Sequence, residues 1–439
     1  MSATPSDSIP AVVYPHPARA WWAAAVFCFA AIVSFTDRLI IGALIDPIKL
    51  SLGVNDSAVS LLQGMAFSLV YVISGKILGR LADQKHRLTL LIAGSLIWCA
   101  GTVACGLAPS FWLLFVARAL VGVGEAALAP AGVSIIADSF PPERRGTAIS
   151  IFFLGYFIGA PASIAIGGAM LAWANAGGIA EIPLVGALEP WRGVLVLVGL
   201  VGLTVPVLLV SLREPKRQGP REVPLSAMIK HLVADRRSLV PIYLAMGVLA
   251  IGDYGMFAWV PSLLSRKFAL PSNEVGQVFG LITAVAGGLG GAVGGMSSDF
   301  FARRYGTRGR LVLSLGTVIL SGISALLISF ADVSQVLLGL GLWTFFSGIV
   351  SMSSIAAMQS LLPNIYSGIG IALVGFCNVV LGLGFGPTLV ALATDYVVGN
   401  PALVGLAVTV VAMIAAASSS ILYVYAVRAV GAHGRLSRR

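Results

Sequence analysis

The chain of 439 residues is 58% hydrophobic and only 10% charged, and its mean hydropathy is +0.95. This composition excludes a water-soluble protein, in which about a quarter of the residues are charged. The net charge of +10 does not indicate a nucleic-acid-binding protein, because the basic residues are grouped in short segments between apolar runs. The composition therefore predicts an integral membrane protein.

Apolar runs of about 20 residues, enough to cross about 30 Å of hydrocarbon as a helix, recur along the chain. Helices are expected because backbone groups in lipid must form hydrogen bonds within their own segment. The predicted fold is all-α, with twelve transmembrane helices. Their predicted spans are 20-45, 57-79, 88-107, 111-136, 146-172, 191-212, 238-264, 273-296, 310-330, 333-361, 365-394 and 401-428.

Basic residues alternate between crowded and sparse loops. One set of loops and tails is crowded with them, whereas the other set holds only Lys49, Arg192, Arg266 and Lys267. Because Lys and Arg in short loops stay on the cytoplasmic side, both termini are predicted to be cytoplasmic. The net positive charge is thus a topology signal.

The sequence repeats at an offset of 216 positions. This offset aligns Asp37 with Asp253, and it aligns Gly79, Asp83 and Arg87 with Gly295, Asp299 and Arg303. A parallel repeat of six helices predicts two bundles that face each other across a central cavity. The predicted divisions are a cytoplasmic tail at 1-19, a first bundle at 20-212, a linker at 213-237, a second bundle at 238-428 and a basic tail at 429-439.

The loop after the second predicted span resembles a known family motif. The segment Gly79-Arg-Leu-Ala-Asp83-Gln-Lys-His-Arg87 is similar to G-x-x-x-D-R-x-G-R-R of the major facilitator superfamily, and Gly295 to Arg304 resembles its second-half echo. Gln84 and His86 depart from the motif. The resemblance implies a transporter of twelve helices in two bundles.

This loop also predicts a latch that closes the cytoplasmic side in the outward-facing state. Asp83 is placed near a helix start, where a carboxylate is stabilised, and Arg87 or Arg145 can pair with it. Asp299 and Arg303 are the matching gating candidates in the second half. The alternative interpretation is a plain cluster of charges that ends a span.

Few ionisable residues lie well inside the predicted spans, and the clear set is Asp37, Arg38, Arg118, Glu125 and Asp253. Such residues are costly in lipid, so they are expected to face a cavity or a partner. A spacing of seven puts Arg118 and Glu125 on one helix face, and the side chain of Arg38 or Arg118 can bridge Asp37 and Glu125. A carboxylate held between burial and an arginine suits proton coupling. Glu125 is predicted to carry the proton, with Asp37 second, and the alternative is a fixed ion-pair network.

Three further stretches resemble the Spinster family within that superfamily. They are Asp37-Arg38, the run Arg118-Ala-Leu-Val-Gly-Val-Gly-Glu125-Ala, and Asp138-Ser-Phe-Pro-Pro-Glu-Arg-Arg-Gly146; Trp259 and Pro261 fit as well. The resemblance implies export of lysophospholipids, sphingosine phosphate or amphipathic drugs, often coupled to protons. It also implies that Asp37, Arg38 and Glu125 serve in coupling and headgroup binding.

An apolar wall opposite these charges would suit an amphiphile with an acidic head. The predicted substrate-binding residues are Arg38, Arg118, Asp253, Tyr254, Trp343, Phe376 and Asn378. The alternatives are a structural polar contact for Asp253 and ordinary packing for the aromatic residues. The competing function is a proton-driven exporter of drugs or organic anions.

Other classes of protein fit the sequence less well. All four histidines fall outside the predicted spans, so an intramembrane enzyme site or metal site is not expected, and no cofactor beyond the coupling proton is predicted. The four cysteines, all within spans, are predicted to be packing residues. We expect a monomer without a nucleic-acid partner, in a bacterial inner membrane because the outer loops are compact.

Overall fold

Eleven helices that are long and apolar enough to cross a membrane occur in the described part of the chain. The computed structural model describes residues 14–178, 188–217, 232–233, 235–363 and 366–436. The helices are α1 (Pro17–Leu52), α2 (Asp56–Gln84), α3 (Arg87–Leu107), α4 (Phe111–Ser139), α5 (Pro142–Gly178), α6 (Pro190–Val210), α7 (Arg236–Phe268), α8 (Ser272–Ser329), α9 (Val333–Leu361), α10 (Ser367–Val398) and α11 (Pro401–Gly431). The prediction of an all-helical membrane protein is confirmed.

Helix α8 differs most from the prediction. Two spans were expected at 273-296 and 310-330, but the chain stays helical through the intervening segment, and α8 has 58 residues. The one non-helical residue between Ser272 and Ala325 is Gly306, with φ 61° and ψ −154°, a backbone conformation that glycine adopts without steric cost. Beyond it Arg310 donates to Asp299 at 3.1 Å, so the chain folds back on itself at this glycine.

Two helices are interrupted near charged residues. Helix α1 is interrupted at Ile40, between Pro17–Leu39 and Ile41–Leu52, and α4 is interrupted between Phe111–Glu125 and Leu128–Ser139. Pro130 lies just after the second interruption, where it cannot donate a hydrogen bond back to Ala126. Both interruptions occur beside buried charged side chains, Arg38 in α1 and Glu125 in α4.

Helices α1 to α6 pack mainly with one another, as do α7 to α11. The two bundles meet where α5 crosses α8 and where α2 crosses α10. A Cβ on Gly276 would lie 2.7 Å from the Ile164 oxygen of α5, and one on Gly64 would lie 2.6 Å from the Leu383 oxygen of α10. These glycines therefore permit backbone contact between the bundles.

The contacts between the bundles that the structure describes lie towards one end of the molecule. We name this end, which carries Asp46, Asp56 and Arg266, the Arg266 face, and the opposite end, which carries Asp83 and Arg87, the Arg87 face. Towards the Arg87 face, a Cβ on Gly75, Gly79, Gly291 or Gly295 would meet no atom within 4 Å. The bundles are thus joined at the Arg266 face and separated towards the other.

The predicted tails and linker lie partly outside the described residues. Helix α1 begins at Pro17, inside the predicted tail at 1-19. The linker predicted at 213-237 is described only at 213–217, 232–233 and 235–237. Its boundaries therefore stay predictions.

Candidate functional site

The centre of the first bundle holds two buried arginines and two buried carboxylates. Asp37, Arg38, Arg118 and Glu125 are each at most 4% exposed. Helix α1 supplies the first two and α4 supplies the others. Buried charges are costly unless an oppositely charged partner and hydrogen bonds compensate them.

Glu125 receives three donors on one oxygen. Arg38 donates to Glu125 Oε2 from Nη2 at 2.7 Å and from Nε at 3.1 Å, and the Ser34 hydroxyl donates to the same atom at 2.8 Å. The other oxygen, Oε1, is buried and has no hydrogen-bond partner among the described residues. The carboxyl group therefore keeps one free oxygen on which a proton can be placed.

Asp37 has a separate set of partners. The Thr102 hydroxyl donates to Asp37 Oδ2, and Arg118 Nη1 lies 3.5 Å from Oδ1. Arg118 also donates to the main-chain oxygens of Asp37 at 3.4 Å and Arg38 at 2.8 Å, next to the interruption in α1. Each arginine thus pairs with one carboxylate, and neither bridges Asp37 and Glu125 in this conformation.

Aromatic rings surround the Arg38 guanidinium. Its central carbon lies 4.9 Å from the Phe35 ring centre, 4.6 Å from Phe67 and 4.8 Å from Tyr71. Rings at this distance attract a cation through their negative faces. Sequence reasoning missed these residues, although Phe67 and Tyr71 are four apart and so share one face of α2.

Arg38 also borders a cleft between the bundles. The cleft is lined from the first bundle by Arg38, Leu39, Gly42 and Gln63, and from the second by Tyr254, Phe257, Ala258, Leu383 and Pro387. The Gln63 amide is buried and has no hydrogen-bond partner in the described part of the chain. Charge from one bundle and apolar surface from the other therefore meet here.

The predicted substrate-binding residues divide into two groups. Arg38 and Tyr254 line the cleft, whereas Trp343 is buried and donates to Asp253 at 2.8 Å. The cleft lining, as far as the structure describes it, includes neither Phe376, which is 48% exposed, nor Asn378. The Asn378 side-chain oxygen is buried without a hydrogen-bond partner among described residues.

At the Arg87 face, the predicted latch pairs are not formed. Arg87 is buried and pairs with Asp138 and, at 2.9 Å, with Glu214, while Arg145 donates to the Phe140 main-chain oxygen at 3.4 Å. Asp83 is exposed and forms no ion pair with any described residue. The latch is predicted for a conformation that is closed at this face, so it stays a prediction, and in the present conformation Arg87 pairs with Asp138 and Glu214 instead.

The second-half counterparts are also separate from each other. Asp299 pairs with Arg310 at 3.1 Å, and Arg303 is exposed without an ion pair in the described residues. Glu214 further accepts from the Leu88 backbone N–H at 3.2 Å, and Arg217 donates to the Ala82 main-chain oxygen at 2.8 Å. The start of the linker is thus fixed to the first bundle.

The Arg266 face carries an ion-pair network that sequence reasoning did not single out. Arg266 of α7 contacts Asp46 of α1 at 2.6 Å and Asp56 of α2 at 2.7 Å, and Lys49 contacts Asp56 at 2.8 Å. Asp395 of α10 accepts from the Ser57 hydroxyl at 2.6 Å. These contacts, which we call the Arg266 network, join the two bundles.

A second set of contacts at this face stays within the first bundle. Arg192 pairs with Glu189 at 2.9 Å. The hydrogen bond from Ser51, together with Arg192, lowers the pKa of Glu189. This pair gives a natural contrast to the Arg266 network, because it ties no helix of one bundle to the other.

The family sequence model of the Major Facilitator Superfamily matches residues 27–387 of this chain. The chain belongs to the Major Facilitator Superfamily. That family consists of transporters, so the prediction of a membrane transporter rather than an enzyme is confirmed.

Two known proteins are similar to this chain over most of its length. An MFS-type efflux pump of Mycolicibacterium smegmatis is 26% identical over 383 residues, which are 86% of this chain and 85% of that protein. The sphingosine-1-phosphate transporter SPNS2 of Xenopus tropicalis is 25% identical over 327 residues, 71% of this chain but only 61% of its own length.

A solved structure supports the fold. The crystal structure of a bacterial homolog of the human lysosomal transporter Spinster, in an inward-facing and unoccupied conformation, has a TM-score of 0.76 and 21% sequence identity, and the match covers 94% of this chain and 96% of that chain. The family resemblance drawn from the Asp37-Arg38, Arg118 to Glu125 and Asp138 to Gly146 stretches is confirmed.

Proposed function

We propose that this transporter couples proton movement to the transport of an amphipathic, lipid-like substrate such as a lysophospholipid or sphingosine phosphate, by alternating access. The observation that carries the proposal is the buried Arg38 and Glu125 pair, at 2.7 Å, on the border of the inter-bundle cleft. Because Arg38 lies next to a carboxylate that can accept a proton, it can exchange Glu125 for another anionic partner.

The proposed coupling step is an exchange of partners on Arg38. Protonation of Glu125 removes the negative charge that holds the guanidinium, and Arg38 can then bind an anionic headgroup. An anionic substrate that reaches Arg38 favours protonated Glu125 to the same extent, since coupling between two ligands is reciprocal. Asp37, paired with Arg118, is the second candidate for the proton.

The proposed topology has twelve transmembrane helices. An unbroken helix of 58 residues would be about 87 Å long, nearly three times the hydrocarbon thickness of about 30 Å. We therefore assign two spans to α8, separated by the turn at Gly306, and both termini to the cytoplasm, with the Arg266 face outside. In this orientation the conformation is inward-facing.

The substrate assignment is supported by the chemistry of the cleft and by a relative. Arg38 faces a largely apolar wall formed by Tyr254, Phe257 and Pro387, which suits a molecule with an acidic head and an apolar tail. A relative is named as a sphingosine-1-phosphate transporter. Export of drugs or organic anions is the competing assignment, because another relative is named as an efflux pump.

The remaining assignments follow from this proposal. We assign the protein to a bacterial inner membrane as a monomer, with the proton as coupling ion and no other cofactor. Its partners are the lipid bilayer and the small substrate, without nucleic acid.

The proposal is tested by flux in proteoliposomes. Wild-type protein is expected to transport a panel of lysolipids faster when a pH gradient is imposed. Glu125→Gln should still bind lysolipid but lose the response to the gradient, since the amide cannot exchange a proton. Arg38→Ala should lose lysolipid binding. Transport of a drug panel with no lysolipid transport would overturn the substrate assignment.

Two exposed positions provide matched controls. Glu274→Gln and Arg304→Ala make the same chemical changes at exposed sites, and both variants are expected to keep the pH response. If Glu125→Gln merely fails to fold while every folded variant retains gradient-driven flux, the pair is a fixed structural network and the coupling proposal is wrong.

A further inference from the structure

The second bundle contains a half-buried carboxylate, that of Asp253, which has only neutral partners among the described residues. Asp253 Oδ1 accepts from Trp343 Nε1 at 2.8 Å and from the Ser347 hydroxyl at 2.7 Å. Within the described residues no Lys, Arg or His forms an ion pair with it. Two hydrogen bonds therefore orient the carboxylate, but no cation balances it.

The first bundle does not supply the missing charge. The two buried arginines at its centre are each engaged, Arg38 with Glu125 at 2.7 Å and Arg118 with Asp37 at 3.5 Å. These four charges sum to zero. Asp253 is thus the uncompensated acid of the membrane interior, as far as the structure describes it, and a charge in this setting normally has a partner or a functional ligand.

Asp253 lies beside the cleft. Phe257, one helical turn further along α7 and hence on the same face, lines the cleft with Arg38, as does the neighbouring Tyr254. Asp253 is half-buried, and its second oxygen accepts no hydrogen bond among the described residues. The carboxylate is therefore placed to receive a cation from the cleft.

We infer that Asp253 recognises an ammonium group on the substrate, while Arg38 binds the anionic group of the same molecule. The inference rests on the proposed function and narrows it, because it selects amphiphiles with both charges in the headgroup over purely anionic ones. Trp343 and Ser347 are positioning residues that hold the carboxylate towards the cleft.

The test compares two lysolipids with the same acyl chain. Lysophosphatidylcholine carries a phosphate and a quaternary ammonium group, which has no proton to release, whereas lysophosphatidylglycerol carries the phosphate alone. Wild-type protein should favour the choline lipid by about tenfold in kcat/KM, the ratio that corresponds to one modest charge interaction. Asp253→Asn should lose most of this preference and transport the glycerol lipid within about twofold of wild type.

The asparagine variant keeps an acceptor oxygen for Trp343 and Ser347, so the local hydrogen bonds are preserved. Asp332→Asn is the matched control, since Asp332 is exposed in the same bundle, and it should keep the full preference. If Asp253→Asn does not purify as a folded protein, Ser347→Ala must reduce the preference instead, because it removes one positioning donor.

Three results would overturn the inference. One is an unchanged lipid preference in folded Asp253→Asn. Another is an unchanged preference with fewer protons moved per lipid, which would make Asp253 a proton site. If wild type moves neither lipid, the proposed function fails, and the cation site is then tested by ligand binding alone. Dodecyltrimethylammonium must then raise the melting temperature of wild type more than that of Asp253→Asn. Equal shifts of the two melting temperatures are the third result that would overturn the inference.

Discussion

Arg38 has two kinds of neighbour that act on it differently. Glu125 binds it through charge at 2.7 Å, and the rings of Phe35, Phe67 and Tyr71 hold it through weaker attraction at 4.6 to 4.9 Å. The rings remain in place when Glu125 becomes neutral. Arg38 can therefore lose its ion pair without losing all stabilisation, as a residue that changes partners must.

The pair also makes a prediction about stability. Arg38→Met leaves Glu125 buried without a cation, and loss of one partner of a buried pair costs about 3–5 kcal/mol. Protonation of the orphaned carboxyl removes most of this penalty at low pH. The melting temperature in detergent should therefore fall below that of wild type by more at pH 8 than at pH 5.

Addition of Glu125→Gln to Arg38→Met removes the orphaned charge. The double variant should regain stability at pH 8, and its deficit should be the same at both pH values. A deficit of Arg38→Met that does not change with pH would contradict this account of the pair.

At this scale, sequence reasoning identified which residues meet but not how they pair. The seven-residue spacing and the estimated depth placed Arg118 and Glu125 near Asp37 and Arg38. The assignment of each arginine to one carboxylate depends on how α1 and α4 pack against each other, which no residue pattern specifies. Arg266, Asp46 and Asp56 were missed because charges at the ends of spans were interpreted as topology markers alone.

Between elements, the close contact of α5 with α8 depends on glycine. A Cβ on Gly168 would overlap the Ser272 main-chain oxygen, so Gly168→Val should force the bundles apart at the Arg266 face. Ser262 is buried, and it lines a gap between the bundles that Gly168 also lines. In protein that carries Ser262→Cys and lacks its native cysteines, Gly168→Val should increase alkylation by a membrane-impermeant thiol reagent several-fold.

Gly316 supplies the control for this experiment. A Cβ there would meet no atom within 4 Å, so Gly316→Val should leave alkylation unchanged. If Gly168→Val also leaves it unchanged, the contact between α5 and α8 does not hold this face closed.

The element boundaries were predictable where polar residues interrupt apolar runs, and less so elsewhere. The predicted spans at 88-107 and 333-361 agree closely with Arg87–Leu107 and Val333–Leu361. The loop expected between 296 and 310 is instead mostly helical, because its residues permit a helix and only Gly306 adopts a left-handed φ. Contacts of Glu214 and Arg217 with the first bundle arise from tertiary packing, which local sequence does not encode.

For the whole molecule, the Arg266 network joins the two bundles at the face where they are in contact. Arg266 contacts two carboxylates of the other bundle at 2.6 and 2.7 Å. At the Arg87 face, by contrast, the two bundles remain apart. Arg266→Gln should therefore shift the population towards opening at the Arg266 face. The same Ser262→Cys reporter should be alkylated faster, and lysolipid flux should change with it.

Arg192→Gln tests whether loss of any arginine at this face has the same effect. Arg192 pairs with Glu189 inside the first bundle, so its loss should not change alkylation of the reporter. Equal rates for Arg266→Gln and wild type would mean that the network does not control closure.

The two kinds of ion pair differ in what a transport cycle does to them. The Arg38 and Glu125 pair joins helices of one bundle, so it can move as a unit when the bundles rock. Arg266 joins both bundles, and its contacts with Asp46 and Asp56 must break whenever this face opens. The Asp56 side chain is fully buried and that of Arg266 is 13% exposed, so salt screens this pair much less than it would screen a pair at the surface. The ionic strength of the surrounding medium is therefore expected to act on these charges mainly after the face has opened and water reaches them.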